Sequence, residues 1–168
     1  IVSAGTISYL GPFTMDFRNK LVKEWQDGLV AQDIPHSQGC DLESTLTDPV
    51  KVRSWQICNL PSDSLSTQNG IIMDNGRRWP LLIDPQGQAI SWIQHHEEKK
   101  MPLFGTTTFG NSRFRDQLEF CLAEGKALII TGVEQELDPV LYPVLQREIT
   151  VKAKSKYISI GGKMCDYV

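Results

Sequence analysis

Two stretches put residues where nucleotide chemistry could be done. The first is Asp84-Pro85-Gln86-Gly87-Gln88-Ala89-Ile90-Ser91, between a compact apolar run at 79–83 and a helical pattern at about 89–99. A phosphate-holding loop needs glycines that turn backbone amides inward, a lysine for the outer phosphates and a hydroxyl for magnesium. The position suits such a loop, but the residues do not. Asp84 stands at the opening glycine, and its carboxylate repels an anion. Ala89 stands at the last glycine and Ile90 at the lysine, so only Gly87 and Ser91 keep the pattern. Asp84, Gly87, Ala89, Ile90 and Ser91 therefore read as a degenerate phosphate site, with no cofactor and no catalytic residue assigned. Gly161-Gly162-Lys163 does not replace it, because no Ser or Thr follows the lysine.

The second stretch is Thr131-Gly132-Val133-Glu134-Gln135-Glu136-Leu137-Asp138, after an apolar run at 127–133. A magnesium-holding carboxylate pair belongs near the end of such a strand. Thr131 and Gly132 occupy that end instead. Glu134 and Glu136 come later, and Asp138 before Pro139 reads as a helix cap. His95-His96-Glu97-Glu98 has metal-ligating types, but adjacent helical residues diverge, whereas a zinc pair sits at i and i+4. No metal site is assigned. Ser62-Asp63-Ser64 has no positioned base and reads as a cap. Arg77-Arg78 is a small basic spot, His36 an exposed loop residue, and Trp25, Trp55, Trp79 and Trp92 are scattered packing residues rather than a base-stacking set.

The elements that must position these residues follow from periodicity. Phe13, Phe17, Leu21, Trp25 and Leu29 recur every four residues, with Val22 beside them, and predict a helix over 13–30. Thr14 is its candidate cap, and Asp16, Arg18, Lys20, Lys23 and Asp27 are placed on the solvated face. Residues 32–46 read as a connector. Asp48-Pro49 starts a short helix to about Ile57, and Pro61-Ser62-Asp63 starts another over 65–72, ended by Asn75-Gly76. Beyond that turn the rhythm becomes strand, loop, helix: buried strands at 79–83, 101–105 and 127–133, and helices at 112–123, capped by Ser112 and ended by Gly125, and at 137–147. An extended piece at 157–160 precedes a Gly161-Gly162 turn. This is the pattern of a parallel sheet with flanking helices, whose ligands sit at the strand carboxyl ends.

The 168 residues suit one α/β domain, and 17 basic against 20 acidic residues give a net charge of −3. That balance argues against nucleic-acid binding. No apolar run approaches a membrane span, and Ile1 to Leu10 lacks the features of a signal peptide. Cys40, Cys58, Cys121 and Cys165 have no metal-knuckle spacing and read as reduced cytosolic thiols. An apolar start and a finish at Val168 without a polar tail read as part of something larger.

Several strings carry a family resemblance over nearly the whole chain. They are Gly11-Pro12-Phe13, Leu46-Thr47-Asp48-Pro49-Val50-Lys51-Val52-Arg53-Ser54-Trp55 and Leu60-Pro61-Ser62-Asp63-Ser64-Leu65-Ser66, with Asn69-Gly70-Ile71-Ile72 after them. They continue through Arg78-Trp79-Pro80-Leu81-Leu82-Ile83-Asp84-Pro85-Gln86-Gly87-Gln88-Ala89, Trp92-Ile93 and Glu136-Leu137-Asp138-Pro139. The chain resembles dynein heavy chains, at the fifth AAA+ module of the motor ring. Arg53-Ser54-Trp55 and Arg78-Trp79-Pro80-Leu81 resemble axonemal rather than cytoplasmic chains.

The resemblance implies a three-layer P-loop-NTPase-like (AAA+) parallel sheet, incomplete at its C-terminal end. Residues 1–38 would lead in from the stalk side, and 39–168 would be the large α/β subdomain. In the family a further strand lies between the first and third, and a small helical subdomain follows; neither is present. The family's fifth module lacks a working nucleotide site, and Asp84 to Ala89 repeats its loop. The function implied is a non-catalytic structural module that relays ATP-driven ring movement toward the stalk, with Leu21, Trp25 and Trp92 as stiffening contacts. ATP and magnesium would belong to other modules of the parent motor ATPase. Neighbouring modules, the stalk and buttress, and through the parent chain microtubules and intermediate and light chains, would be the partners, in the cytoskeleton of a cilium or flagellum. Two other readings stand beside it: a nucleotide-binding or hydrolysing domain with an atypical loop, and an adaptor of unrelated origin.

Overall fold

The computed structural model describes residues 1–37, 41–100, 105–134 and 136–168, the side chains of 99 and 100 apart. The chain forms two units, Ile1–Ile93 and Gln94–Val168. No helix among the described residues is long and apolar enough to cross a membrane.

The first unit is helical. The opening apolar stretch, given no element from its sequence, is helix α1 (Val2–Tyr9). Helix α2 (Met15–Ala31) carries the four-residue periodicity. Its stripe is only partly covered: Leu21, Trp25 and Leu29 are half-buried, while Phe13 and Phe17 stay exposed against each other at 4.6 Å. Thr14 is the N-cap residue, without a side-chain cap bond. Within the connector lies α3 (Leu42–Leu46), closed by a capping box in which Ser44 N donates to Asp41 Oδ1 at 2.6 Å. Residues 38–40, and with them Cys40, are outside the described residues.

Helices α4 (Pro49–Ile57) and α5 (Ser64–Asn75) start where the caps predict. Asp48 accepts from Lys51 N and Asp63 from Ser66 N, each at 2.8 Å. The buried residues here include Trp55, Cys58, Leu60, Ile71 and Trp92. Trp55 meets Trp92 edge-on at 6.0 Å. Gly70 lets the Trp55 ring approach, since a Cβ there would sit 3.3 Å from it.

Residues 79–83 depart from expectation. They join neither ladder of the structure, and Leu81 and Ile83 are 75% and 84% exposed. A strand exists only where a neighbour takes its amides and carbonyls, and among the described residues no ladder includes this run. It leads directly into the Asp84 loop and helix α6 (Gln88–Lys100).

The second unit has a parallel pair, β1 (Gly105–Thr108) and β2 (Leu128–Thr131), in register from Gly105 opposite Leu128 to Thr108 opposite Thr131. Residues 101–104 of the expected strand are outside the described residues. Helix α7 (Phe114–Glu124) joins the pair and buries Phe114, Leu118 and Cys121. It ends at Gly125, in the left-handed conformation at φ 63°. Ser112 is not its cap. Arg113 holds that position without a cap bond, and Asn111 Oδ1 accepts from Arg113 N at 2.9 Å just before it.

The expected helix at 137–147 is split into a 3₁₀ turn at Pro139–Leu141 and α8 (Tyr142–Gln146). Pro143 has no amide to give a continuing ladder, which accounts for the break. The chain finishes in an antiparallel meander, β3 (Ile149–Lys152), β4 (Ser155–Ile160) and β5 (Lys163–Tyr167). Only its middle strand was legible from the pattern. Ile158, Ile160 and Cys165 of the meander pack with Phe114, Leu118, Val140, Leu141 and Val144 as the core of this unit.

Candidate functional site

Asp84 sits at the foot of α6 and is half-buried. Its backbone carbonyl accepts from Gly87 N at 3.3 Å, closing a turn over Pro85 and Gln86. Gly87 has φ +72°, a conformation that glycine adopts without strain. The turn brings the Asp84 carboxylate back onto the helix start. Gln88 N donates to Oδ1 and Ile90 N to Oδ2, both at 2.9 Å. These amides are the donors that a helix start offers to an anion. In this chain they hold the chain's own carboxylate. Ile90 is half-buried and brings no cation. Ser91 lies one residue on, its hydroxyl 3.4 Å from Asn59 Nδ2. All five residues of the sequence-derived site thus lie on one turn and the first turn of α6.

The carboxyl ends of β1 and β2 are closed by neutral groups. Thr131 Oγ1 donates to the Thr107 carbonyl at 3.2 Å. Thr107, only 3% exposed, accepts at Oγ1 from Asn111 Nδ2 at 3.3 Å, and the same amide reaches Gln117 Oε1 at 3.2 Å. Glu134 and Glu136 are exposed, and Gln135 between them is outside the described residues. Asp138 caps the 3₁₀ turn by accepting from Val140 N at 2.9 Å. The hydroxyls and amides at this strand end bond to one another and tie β1, β2 and the start of α7 together.

The remaining candidates are dispersed. His95 and His96 lie on α6, where His96 Nε2 is 4.0 Å from Glu97. No group of three or more metal-ligating residues occurs among the described residues. Asp63 caps α5, with Ser66 Oγ donating to its Oδ2 at 2.7 Å. That bond holds its carboxyl below the ordinary aspartate range. Arg77 and Arg78 are exposed, as is His36. Cys58, Cys121 and Cys165 are free and buried. Burial pushes the Cys121 and Cys165 thiols up.

Arg18 contradicts its sequence assignment. Placed on the solvated face by its charge, it is 1% exposed and the one buried residue of α2. The signal was present in the spacing: Val22 and Trp25 are four and seven residues on, which puts Arg18 on the inward face. Desolvation pulls its pKa below the ordinary arginine value.

A family profile described as the ATP-binding dynein motor region matches residues 53–168. Axonemal dynein heavy chain 3 of Mus musculus is 38% identical over 167 residues. The dynein-1-beta heavy chain of the flagellar inner arm I1 complex of Chlamydomonas reinhardtii is 39% identical over 171 residues. The dynein gamma chain of the flagellar outer arm of the same alga is 36% identical over 167 residues. Each alignment covers 99% of this chain and 4% of the relative, so the chain corresponds to a small part of those proteins.

Proposed function

The chain belongs to the dynein heavy-chain family, within the motor region, and from that premise we propose that it is a non-catalytic AAA+ module, the fifth of the motor ring. The observation that carries this reading is the Asp84 carboxylate seated on the α6 amides, with Ile90 where a lysine would be. A triphosphate would have to displace a tethered anion and would find no ammonium in return. The strand end at Thr131 likewise supplies hydroxyls instead of the carboxylates that hold magnesium.

In this reading the module needs no cofactor, and ATP and magnesium act at other modules of the parent motor. Its work is mechanical. Residues 1–38 connect to the stalk side, 39–168 form the α/β body, and rigid-body shifts pass between modules and toward the stalk. Residues 79–83 become a sheet strand when another segment of the heavy chain pairs with them, completing a three-layer sheet. Their exposed apolar side chains and their place before the degenerate loop support that role. Neighbouring modules and the buttress are the direct partners, and microtubules and the smaller chains are reached through the parent. The axonemal and flagellar relatives support a place in the axoneme.

Titration of the chain with Mg–ATP tests the reading: no saturable binding is expected at micromolar nucleotide. Micromolar affinity would favour the second reading, a nucleotide-binding domain with an atypical loop, to which the words "ATP-binding" in the family description lend support. Relay is tested separately. Disrupting Leu21, Trp25 or Trp92 in the heavy chain is expected to abolish motility while ATP binding elsewhere survives, and unchanged motility would refute it.

A further inference from the structure

Arg18 is a buried cation with no carboxylate paired to it among the described residues. Its guanidinium instead makes four hydrogen bonds to neutral acceptors. Nε donates to the Phe13 carbonyl at 3.0 Å, and Nη2 to the Gly11 carbonyl at 2.8 Å. Nη2 also reaches Asn69 Oδ1 at 2.6 Å, and Nη1 reaches Gln68 Oε1 at 3.3 Å. Gly11 follows Leu10, the C-cap residue of α1. Gln68 and Asn69 belong to α5. One side chain thus bridges the α1–α2 link and α5.

Apolar packing at this junction is incomplete. A cavity of about 80 Å³ lies against Arg18, its lining including Thr6, Val22, Asp41, Leu42 and Gln68; the Asp41 carboxylate there accepts from Ser44 N at 2.6 Å and forms no ion pair with the guanidinium among the described residues. No other residue of α2 is buried. Burying an unpaired guanidinium is unfavourable, and a leucine or methionine would fill such a site at less cost. An apolar residue would leave these four acceptors without a donor, whereas a planar fork with fixed donor directions ties all four in one geometry.

We propose that Arg18 is a positioning residue: its guanidinium fork locks the α1–α2 hairpin onto α5, so that a displacement of the hairpin is passed on without slip. The inference rests on the relay reading above and names the joint through which that relay acts. The four bonds of Arg18 are spent on Gly11, Phe13, Gln68 and Asn69, so on this proposal its loss leaves basal ATP turnover at the other modules intact.

The test uses the purified parent heavy chain and reads the ratio of microtubule-stimulated to basal ATPase. Arg18→Met removes the bonds, and Arg18→Lys keeps the charge without the fork. Gln68→Ala with Asn69→Ala keeps the arginine and removes its acceptors on α5. All three are expected to lower the ratio about threefold or more at unchanged basal turnover. General destabilisation lowers yield but not the ratio per folded molecule. If Arg18→Met does not fold, the Gln68/Asn69 double variant decides. Trp92→Ala separates the two levels. If it lowers the ratio while the Arg18 and Gln68/Asn69 variants leave it unchanged, the joint is refuted and the relay stands. If none of the variants changes the ratio, relay through this module is refuted, and the joint with it.

Discussion

Replacing Asp84 by alanine removes the acceptor for two backbone amides, Gln88 N and Ile90 N, both held at 2.9 Å. Loss of an N-cap side chain costs about 1 kcal/mol. The lost charge–dipole attraction at the helix start adds about 0.3–1 kcal/mol. Asp84 is half-buried, so the amides can recover part of this from water. The net is about 1–2 kcal/mol, which at 1.4 kcal/mol per tenfold corresponds to roughly a 5- to 30-fold change in an opening equilibrium. Because the bonds are local, the effect belongs to the first turn of α6 and not to the whole chain. Residue-resolved amide hydrogen exchange reads it directly: the Gln88 and Ile90 amides should exchange faster by that factor, while the Leu118 amide in α7 keeps its rate. Asp84→Asn retains one acceptor oxygen and should give an intermediate change. Unaltered protection at Gln88 and Ile90 in Asp84→Ala would show that the carboxylate does not hold the helix start, and the account of a self-occupied anion site would fall. Freeing the amides should still not create a nucleotide site, because Ile90 contributes no charge. Micromolar Mg–ATP binding by the alanine variant would refute that part.

Three other perturbations have defined outcomes. Side-chain bonds from Ser44 and Ser66 hold the Asp41 and Asp63 carboxyls below the ordinary aspartate range. Their contribution is therefore present above the unfolded aspartate pKa and is lost as pH falls through the lower folded values. Protection factors at Ser44 N and Ser66 N, taken against the intrinsic exchange rate at each pH, should fall on that acid limb, and Asp63→Asn should remove that fall at Ser66. Ile158 is fully buried in the middle strand of the meander, so Ile158→Ala should destabilise the second unit by about 2–5 kcal/mol in urea unfolding. Ala153 and Lys154 turn between β3 and β4 with φ of 49° and 88°. Ala153→Asn with Lys154→Gly should raise stability by about 1 kcal/mol, measured the same way, since both replacements relieve left-handed strain.

Local chemistry was the legible part. Asp48, Asp63 and Asp138 accept from the amides that their positions imply, because a cap is decided within three or four residues. Gly125 ends α7 in a left-handed turn for the same reason. The degenerate loop could be read from Asp84, Ala89 and Ile90, yet the sequence treated Asp84 only as a charge that repels phosphate. The turn over Pro85 and Gln86 makes it the occupant of the helix start. Ser112 is not the cap because the helix starts at Phe114, whose amide, within reach of a Ser112 cap, donates instead to the Asn111 carbonyl at 2.9 Å. The meander was half seen: β3 and β5 are short and mostly exposed, with little alternation to reveal them.

Residue types in order were enough for the family, the helix starts and the absence of a lysine at the phosphate loop, since each is a property of neighbours along the chain. Only the tertiary structure could decide the rest. A run such as 79–83 is a strand or not according to whether another backbone lies alongside it. An arginine is solvated or buried according to whether carbonyls and amides from distant residues converge on its five donors, as Gly11, Phe13, Gln68 and Asn69 do on Arg18. Hydrogen bonding across sequence distance leaves no periodic trace: the spacing could turn Arg18 inward, but only the fold supplies the acceptors that make its burial tolerable and decides whether 79–83 has a partner.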